Sequence, residues 1–292
     1  MPASACCRSC RCWAPAWRSA CSPVRWRPQP ACASRWNEAV DRVASSWNSP
    51  PAPSRRARWL ALASARRFDP VAGRLVPLFF AGALACALAA LYVGFAVAPA
   101  DAQQGEVYRI IFIHVPAAWL SMFIYLVMAG YGALALVLHT RLSALMVTAL
   151  APTGALFTAI ALATGSLWGQ PTWGTWWVWD ARLTSELLLL FLYLGLLALD
   201  GAIEEPRRAE RACALLAVVG AVNVPVIWFS VQWWNTLHQG ASVSLTAAPS
   251  MALAMLAGML LMALACWLYA IGASLVRLRC LLRERGVLGE AA

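Results

Sequence analysis

The chain has 292 residues, of which 61% are hydrophobic and only 12% are charged, and its mean hydropathy is +0.64. This composition excludes a water-soluble globular protein of that length, because too few polar residues are available to cover its surface, and it indicates an integral membrane protein. The net charge of +10 does not indicate nucleic-acid binding, since ten arginines against two acidic residues put +8 of it into residues 1–65 and leave only +2 for the rest.

Residues 1–65 differ from the rest of the chain in composition. They hold six of the ten cysteines and six of the sixteen tryptophans, but no sustained apolar periodicity and no uninterrupted apolar run of signal-peptide length. We therefore predict that residues 1–65 form a disordered extension or result from a start codon assigned too far upstream. The functional domain is predicted to span residues 66–292.

Six apolar runs follow, each close to the roughly 20 residues that a helix needs to cross the hydrocarbon layer of a membrane. Each is predicted to be helical, because a lone strand would leave its backbone amides unsatisfied in lipid. The predicted fold class is all-α, a polytopic bundle of six transmembrane helices with an aromatic-rich external loop. The runs cover residues 75–98, 110–138, 142–167, 184–203, 212–233 and 250–276.

The arginines between these runs predict how the chain lies in the membrane. They precede the first run, separate the second from the third and the fourth from the fifth, and follow the sixth, so that all of these segments share one side. The positive-inside rule makes that side cytoplasmic and places both termini there. The opposite side receives residues 100–109, the segment between runs three and four, and residues 234–249. The arginines on the cytoplasmic side are Arg66, Arg67, Arg74, Arg141, Arg207, Arg208, Arg211, Arg277, Arg279, Arg283 and Arg285.

The segment between runs three and four, residues 168–184, carries five tryptophans together with Gly169 and Gly174. A belt of aromatic residues at the membrane surface explains one or two tryptophans on most membrane proteins. Five indoles beside glycines, which allow a close backbone approach or a sharp turn, instead favour a platform for a large planar ligand.

Two of the three histidines are predicted to lie on the same side as this tryptophan segment. His114 is about one helical turn into the second run and His238 follows the fifth run, whereas His139 is at the cytoplasmic end of the second run. Each histidine taken singly is more often a structural or interfacial residue. Two imidazoles beside an indole platform nevertheless favour a bound metallo-macrocycle, with haem the best candidate. Zinc fits less well, because no cysteine or carboxylate pair of ligand spacing lies on that side.

Several polar residues and prolines inside the runs are predicted to have structural roles. Glu186 is interpreted as a structural residue near the start of the fourth run. Side chains within the second and fifth runs are predicted to form hydrogen bonds between helices. Prolines are predicted to kink the second, third and fifth helices. The hydrogen-bonding residues are Tyr125, Tyr131, Asn223 and Gln232, and the prolines are Pro116, Pro152 and Pro225.

Residues 173–184, with the sequence WGTWWVWDARLT, resemble the WWD signature of haem-handling proteins in cytochrome c biogenesis, and specifically that of the haem exporter protein C family. The resemblance includes His114 within the sequence IHVP and His238 within WWNTLHQG. It covers the chain from about Arg66 to its C terminus.

The resemblance implies a haem-handling protein of the bacterial cytoplasmic (inner) membrane, which presents haem b at the periplasmic face and promotes its transfer to a membrane-anchored haem chaperone. It also implies ABC-type transporter subunits and a small membrane subunit as partners. The chain has no phosphate-binding G-x-x-x-x-G-K-[ST] sequence of its own, and the resemblance implies a haem-transfer component rather than an enzyme.

By the same resemblance, His114 and His238 are the axial ligands of the haem iron. Arg182 is assigned to a haem propionate and Asp180 to the orientation of Arg182 or of a backbone turn. The alternative for this pair is the start of a helix that is capped by Thr184, with Asp180 solvated. The residues assigned to an aromatic floor and a docking surface for the chaperone are Trp173, Trp176, Trp177 and Trp179.

Two other functions remain open at this stage. The protein could be a membrane redox enzyme with an embedded haem, or a transporter of another aromatic or metallic ligand. Redox bundles usually hold their histidine pairs on helices within the membrane, whereas His238 is predicted to lie in a loop.

Overall fold

The computed structural model of the protein describes residues 65–234, 236–238 and 251–288. The predicted extension lies outside the described residues except for Ala65, which begins the first helix. Within the described part the chain forms seven α-helices: α1 (Ala65–Tyr92), α2 (Ile111–Leu138), α3 (Arg141–Trp173), α4 (Ala181–Ala202), α5 (Pro206–Gly220), α6 (Asn223–Trp233) and α7 (Leu253–Glu284). A π-helical turn (Val93–Val97) continues α1, and a 3-10 turn (Glu106–Ile110) leads into α2.

These helices confirm the prediction of an all-α, multi-pass membrane protein. The described residues contain six segments that are long and apolar enough to cross a membrane. Many large apolar side chains on them point away from the protein interior, as lipid contact requires; Leu78, Leu84 and Val137 are 66%, 62% and 75% exposed. The six segments are Phe68–Val97, Glu106–Leu138, Arg141–Trp173, Ala181–Ala202, Pro206–Trp233 and Leu253–Glu284.

The fifth of these segments is divided, because the chain turns at residues 221–222 between α5 and α6. Pro225 lies in the first turn of α6, where a missing N–H leaves no intrahelical bond unmade. The Asn223 side chain donates a 2.8 Å hydrogen bond to the backbone oxygen of Ser185 on α4, which confirms its predicted interhelical role. Gln232 is exposed, and α2 and α3 continue through Pro116 and Pro152.

The centre of the bundle is built around two fully buried tyrosines. Tyr193 of α4 donates a 2.7 Å hydrogen bond to the backbone oxygen of Ser121 on α2, and its ring lies edge-on to that of Tyr125, 5.0 Å away. Tyr193 occupies the space that a β-carbon on Gly154 of α3 would need, and the hydroxyl of Tyr125 does the same to Gly220 of α5. Helices α2, α3, α4 and α5 are therefore in close contact through these two tyrosines.

One end of the bundle carries a network of ion pairs. Arg285 donates to both oxygens of Asp200, at 2.8 and 2.9 Å, and lies 3.4 Å from Glu210. Nearby, Arg279 donates a 2.8 Å hydrogen bond to Asp69. These contacts join the start of α1, the end of α4, the start of α5 and the end of α7. The arginine-rich connections thus meet at one end, as the predicted topology requires.

Candidate functional site

A cavity lies at the end of the bundle opposite the ion-pair network. It is formed by the first turns of α2, the last turns of α3, the start of α4 and the described segment 236–238 after α6. The space that no protein atom occupies within the cavity and its open mouth is about 720 Å³. Of the residues predicted from the sequence, His114, His238, Trp173 and Arg182 line it.

His114 is held in a defined orientation by α3. Its Nδ1 atom lies 3.0 Å from the backbone oxygen of Ala161 and 3.1 Å from the hydroxyl oxygen of Thr164. A carbonyl oxygen only accepts hydrogen bonds, so Nδ1 is assigned as the protonated nitrogen. The other nitrogen, Nε2, then keeps its lone pair, which is the state in which a histidine binds a metal.

His238 lies beyond the end of α6, as predicted. Its backbone N–H donates a 2.8 Å hydrogen bond to the side chain of Thr236. The centre of its ring lies 6.3 Å from that of His114, with 33° between the two planes, and 6.0 Å from that of Trp173. Two histidines that are 124 positions apart in the sequence therefore face the same cavity.

The tryptophan segment is not wholly a loop, which corrects the sequence prediction. Helix α3 continues past residue 167 to Trp173 and ends at Gly174, whose φ of 75° favours glycine. The prediction failed because the apolar run stops at residue 167 and Gly169 was interpreted as allowing a sharp turn. Gly169 and Pro171 are both tolerated in the last turns of the helix.

Trp168 also lines the cavity, although sequence reasoning did not single it out. Its ring lies edge-on to His114, 5.6 Å away, and its Nε1 donates a 2.8 Å hydrogen bond to Gln104 in the loop before α2. Gly165 and Thr172 also line the cavity, and they lie three residues before and four residues after Trp168, so that all three share one face of α3. This periodicity would have identified Trp168 if α3 had been extended to Trp173.

The other three predicted tryptophans lie in the non-helical segment between Gly174 and Asp180 and do not line the cavity. Trp176 and Trp179 are 57% and 75% exposed. Trp177 is more covered and packs edge-on against Trp179, with ring centres 5.4 Å apart. Its Nε1 is buried and has no hydrogen-bond partner among the described residues.

Asp180 is the N-cap of α4. Its Oδ1 accepts a 2.8 Å hydrogen bond from the backbone N–H of Leu183, and α4 begins at Ala181. The alternative that this pair marks the start of a helix is therefore confirmed, but its assignment of the cap to Thr184, with Asp180 solvated, is wrong. Asp180 lies three residues before the free N–H of Leu183, which is the position from which an aspartate side chain caps a helix. Thr184 already lies inside the first turn.

Two charged side chains of α4 face the cavity. The side chain of Arg182 lines it and makes no hydrogen bond or ion pair with any residue in the described ranges. Glu186, one turn further, is buried at 7% exposure and accepts a 2.7 Å hydrogen bond from the Ser121 hydroxyl of α2. Glu186 therefore has the structural contact expected from the sequence, but it also forms part of the cavity wall.

The donor set limits what the cavity can hold. The described residues contain no cluster of three or more His, Cys, Asp or Glu side chains placed to bind a metal ion. A metal between His114 and His238 would therefore take its other ligands from the molecule that carries it. A metal–imidazole bond is roughly 2 Å long, so two imidazoles on opposite sides of one metal have ring centres about 6 Å apart. The observed separation of 6.3 Å agrees with this arrangement.

The family model described as Heme exporter protein C matches residues 58–290. The protein named Heme exporter protein C in Escherichia coli (strain K12) is 59% identical over 149 residues, which are 51% of this chain and 61% of that protein. The chain thus matches only about three fifths of the length of that relative.

Other relatives share longer or more distant matches. The Heme exporter protein C of Bradyrhizobium diazoefficiens is 50% identical over 204 residues, 70% of this chain and 77% of that protein. A protein of Marchantia polymorpha named "Putative cytochrome c biosynthesis ccmC-like mitochondrial protein" is 49% identical over 155 residues, 53% of this chain and 65% of that protein. The family match covers most of the chain, including every residue of the cavity, and the chain therefore belongs to the haem exporter protein C family.

Proposed function

We propose that the protein binds haem b as its cargo between His114 and His238 and delivers it to a membrane-anchored haem chaperone during c-type cytochrome maturation. The observation that carries this proposal is that two imidazoles line one cavity with ring centres 6.3 Å apart. Haem iron offers two axial positions, one on each face of the porphyrin, and neutral imidazole nitrogen is a common ligand there.

The surroundings of the two histidines fit such a ligand. The Nδ1 atom of His114 is hydrogen-bonded to a backbone oxygen of α3, and Nε2 is therefore available to bind iron. Trp168 and Trp173 supply flat apolar walls next to the imidazoles. Arg182 is the cation that would pair with a propionate, since it faces the cavity without a partner in the described part of the chain.

The tryptophans outside the cavity are proposed to receive the chaperone. Trp176 and Trp179 are exposed next to the helix that carries Arg182, and large exposed aromatic side chains are typical anchors of protein interfaces. The proposed setting is the bacterial inner membrane, with both termini cytoplasmic and the haem cavity periplasmic. ABC-type transporter subunits and a small membrane subunit of the same maturation system complete the proposed set of partners.

A redox role is less well supported. Electron-carrying bundles hold both axial histidines on membrane-spanning helices, whereas His238 follows the last residue of α6. A ligand on a connecting segment is better suited to release its cargo than to keep it. This reasoning favours handling of haem over electron transfer.

The axial assignment is tested by absorption spectroscopy of the detergent-purified protein. We expect the Soret band of copurified haem to weaken in His114→Ala and in His238→Ala and to be lost in the double variant. The matched control is His139→Ala, because His139 is exposed at the end of α2 away from the cavity and should not affect the band. An unchanged spectrum in the double variant would contradict the assignment.

The delivery step is tested separately. Haem-loaded protein is mixed with a haem chaperone that bonds haem through its own histidine, in the absence of any electron donor or acceptor. Transfer of haem under these conditions supports handling. Retention of haem until a reductant or oxidant is added would support the redox function instead.

A further inference from the structure

A second cavity lies at the opposite end of the bundle, beside the ion-pair network. It is formed by the end of α2, the start of α3 and the first turns of α5, and its empty space, including the mouth, is about 700 Å³. The proposed haem function does not use it. Its polar lining comprises His139, Thr140, Arg141, Arg207, Glu210 and Arg211, and its apolar lining Ala135, Leu136, Ala144 and Ala214.

Positive charge dominates the rim of this second cavity. Arg207 and Arg211 are exposed and lie one helical turn apart on α5, and their side chains make no hydrogen bond or ion pair with other residues that the structure describes. Glu210, the one acidic residue of the lining, is already 3.4 Å from Arg285 and 3.7 Å from Arg141. Its charge is therefore offset by the protein itself.

The ion-pair network positions Arg141 without using all of its hydrogen-bond donors. It donates a 3.1 Å hydrogen bond to the backbone oxygen of Arg285, while its Nε atom is buried without a hydrogen-bond partner within the described ranges. Arg285 in turn binds Asp200 through two hydrogen bonds. The four arginines of this region face two carboxylates, which leaves an excess of two positive charges.

The shape of the second cavity also indicates which kind of ligand it binds. Helices α2 and α5 touch at Gly132, where an added β-carbon would lie 2.9 Å from the backbone oxygen of Ala214. Towards the helix ends the cavity opens between them, with Leu136 and Ala135 on its wall. An apolar floor inside a membrane span and a cationic rim at its end match the boundary between acyl chains and headgroups.

We propose that this cavity binds the phosphate group of an anionic phospholipid, with Arg207 and Arg211 as the donors that contact it and Arg141 as a fixed third cation. The apolar floor receives the first part of an acyl chain. The backbone N–H groups at the start of α3, which no side chain caps, add a favourable field for an anion. This site is independent of the haem cavity.

The test is a lipid titration of the full-length, detergent-purified protein, followed by native mass spectrometry, with phosphatidylglycerol as the anionic probe. An arginine near a lipid surface contributes about a fivefold gain in affinity, so R207Q/R211Q is expected to bind the probe roughly 25-fold more weakly. The matched control is R208Q/R277Q, which removes the same charge from exposed arginines at this end that do not line the cavity. It is expected to change the affinity less than twofold, in keeping with general surface screening.

Two further arms identify the ligand class. Phosphatidylethanolamine, which carries no net charge, should bind at least fivefold more weakly than phosphatidylglycerol, by the same charge argument. Inorganic phosphate at millimolar concentration should leave the lipid bound, because it cannot use the apolar floor. Equal losses in the two double variants would overturn the cavity as the site, and displacement of the lipid by inorganic phosphate would overturn the assignment to a lipid.

Discussion

His114 of α2 and Ala161 of α3 are joined by a 3.0 Å contact between the imidazole Nδ1 and a backbone oxygen. Because the backbone of α3 cannot rotate as a side chain can, this contact fixes both the tautomer and the direction of the ring. The proposed iron-binding nitrogen of His114 is thus positioned by a helix that supplies no ligand of its own.

Gly165, one turn after Ala161, is expected to be essential for this position of the ring. A β-carbon there would lie 3.0 Å from Cε1 of His114. Gly165→Ala should therefore push the imidazole away and weaken haem binding roughly 10- to 100-fold, the usual effect of disturbing a ligand's support. Haem titration of the apoprotein measures this effect.

Gly130→Ala is the matched control for that change. Gly130 is exposed within α2, and an added β-carbon would meet nothing within 4 Å. The variant should bind haem normally and gain roughly 1 kcal/mol of helix stability. Equal haem affinity in the two variants would show that Gly165 does not position His114.

Asp180 is expected to act on stability through its capping hydrogen bond. Asp180→Ala should lower the free energy of unfolding by about 1 kcal/mol, whereas Asp180→Asn keeps a capping oxygen and should lose much less. Unfolding in mixed micelles with a rising fraction of sodium dodecyl sulfate measures both. A similar loss in both variants would mean that the charge of Asp180, rather than the cap, is what matters.

Ser121→Ala should destabilise the bundle, because it removes the donor that the structure gives to the buried carboxylate of Glu186. The expected loss is about 1 to 3 kcal/mol in the same unfolding experiment. Ser274→Ala is the control, since Ser274 is also buried but its hydroxyl has no hydrogen-bond partner among the described residues. That variant should be neutral or stabilising, and an equal loss at both serines would refute the role given to the Glu186 contact.

Trp179→Ala should weaken the complex with the haem chaperone, if the exposed tryptophans form its docking surface. The loss expected for an aromatic anchor is roughly 2 kcal/mol, or about 30-fold in affinity, measured by pull-down or surface plasmon resonance. Trp228→Ala is the control, because Trp228 is 52% exposed but lies on α6 among apolar residues remote from the tryptophan segment. Normal chaperone affinity in Trp179→Ala would remove this residue from the docking surface.

The six spans and the meeting of His114 with His238 could be predicted from the sequence, because both follow from strong one-dimensional signals. Apolar runs of sufficient length define the helices, and arginines between them define which ends lie together. The end of α3 carries a weaker signal. Gly169 and Pro171 favour a loop by local preference, yet the helix continues because its face carries Trp168 to the cavity.

The individual partners of buried polar side chains could not be predicted. The partner of Glu186 is Ser121, 65 positions earlier, and neither residue has neighbours in the sequence that indicate the pairing. The break between α5 and α6 lies just before Pro225, which was predicted to kink this span, but the sequence does not show that the kink is a turn at residues 221–222. The hydrogen bond from Asn223 to α4 supports the turn at that place.

The paired arrangement of Gly154 with Tyr193 and of Gly220 with Tyr125 has a consequence for how this protein can change over evolution. A side chain can be gained at either glycine only if the tyrosine opposite moves or is replaced by a smaller residue, so the two members of each pair are expected to vary together. Since the two tyrosines also touch, a change in one pair reaches the other. Substitutions in these two pairs would then shift α4 against α2. The spacing between Arg182 and His114 would change, although no residue of the cavity itself had been replaced.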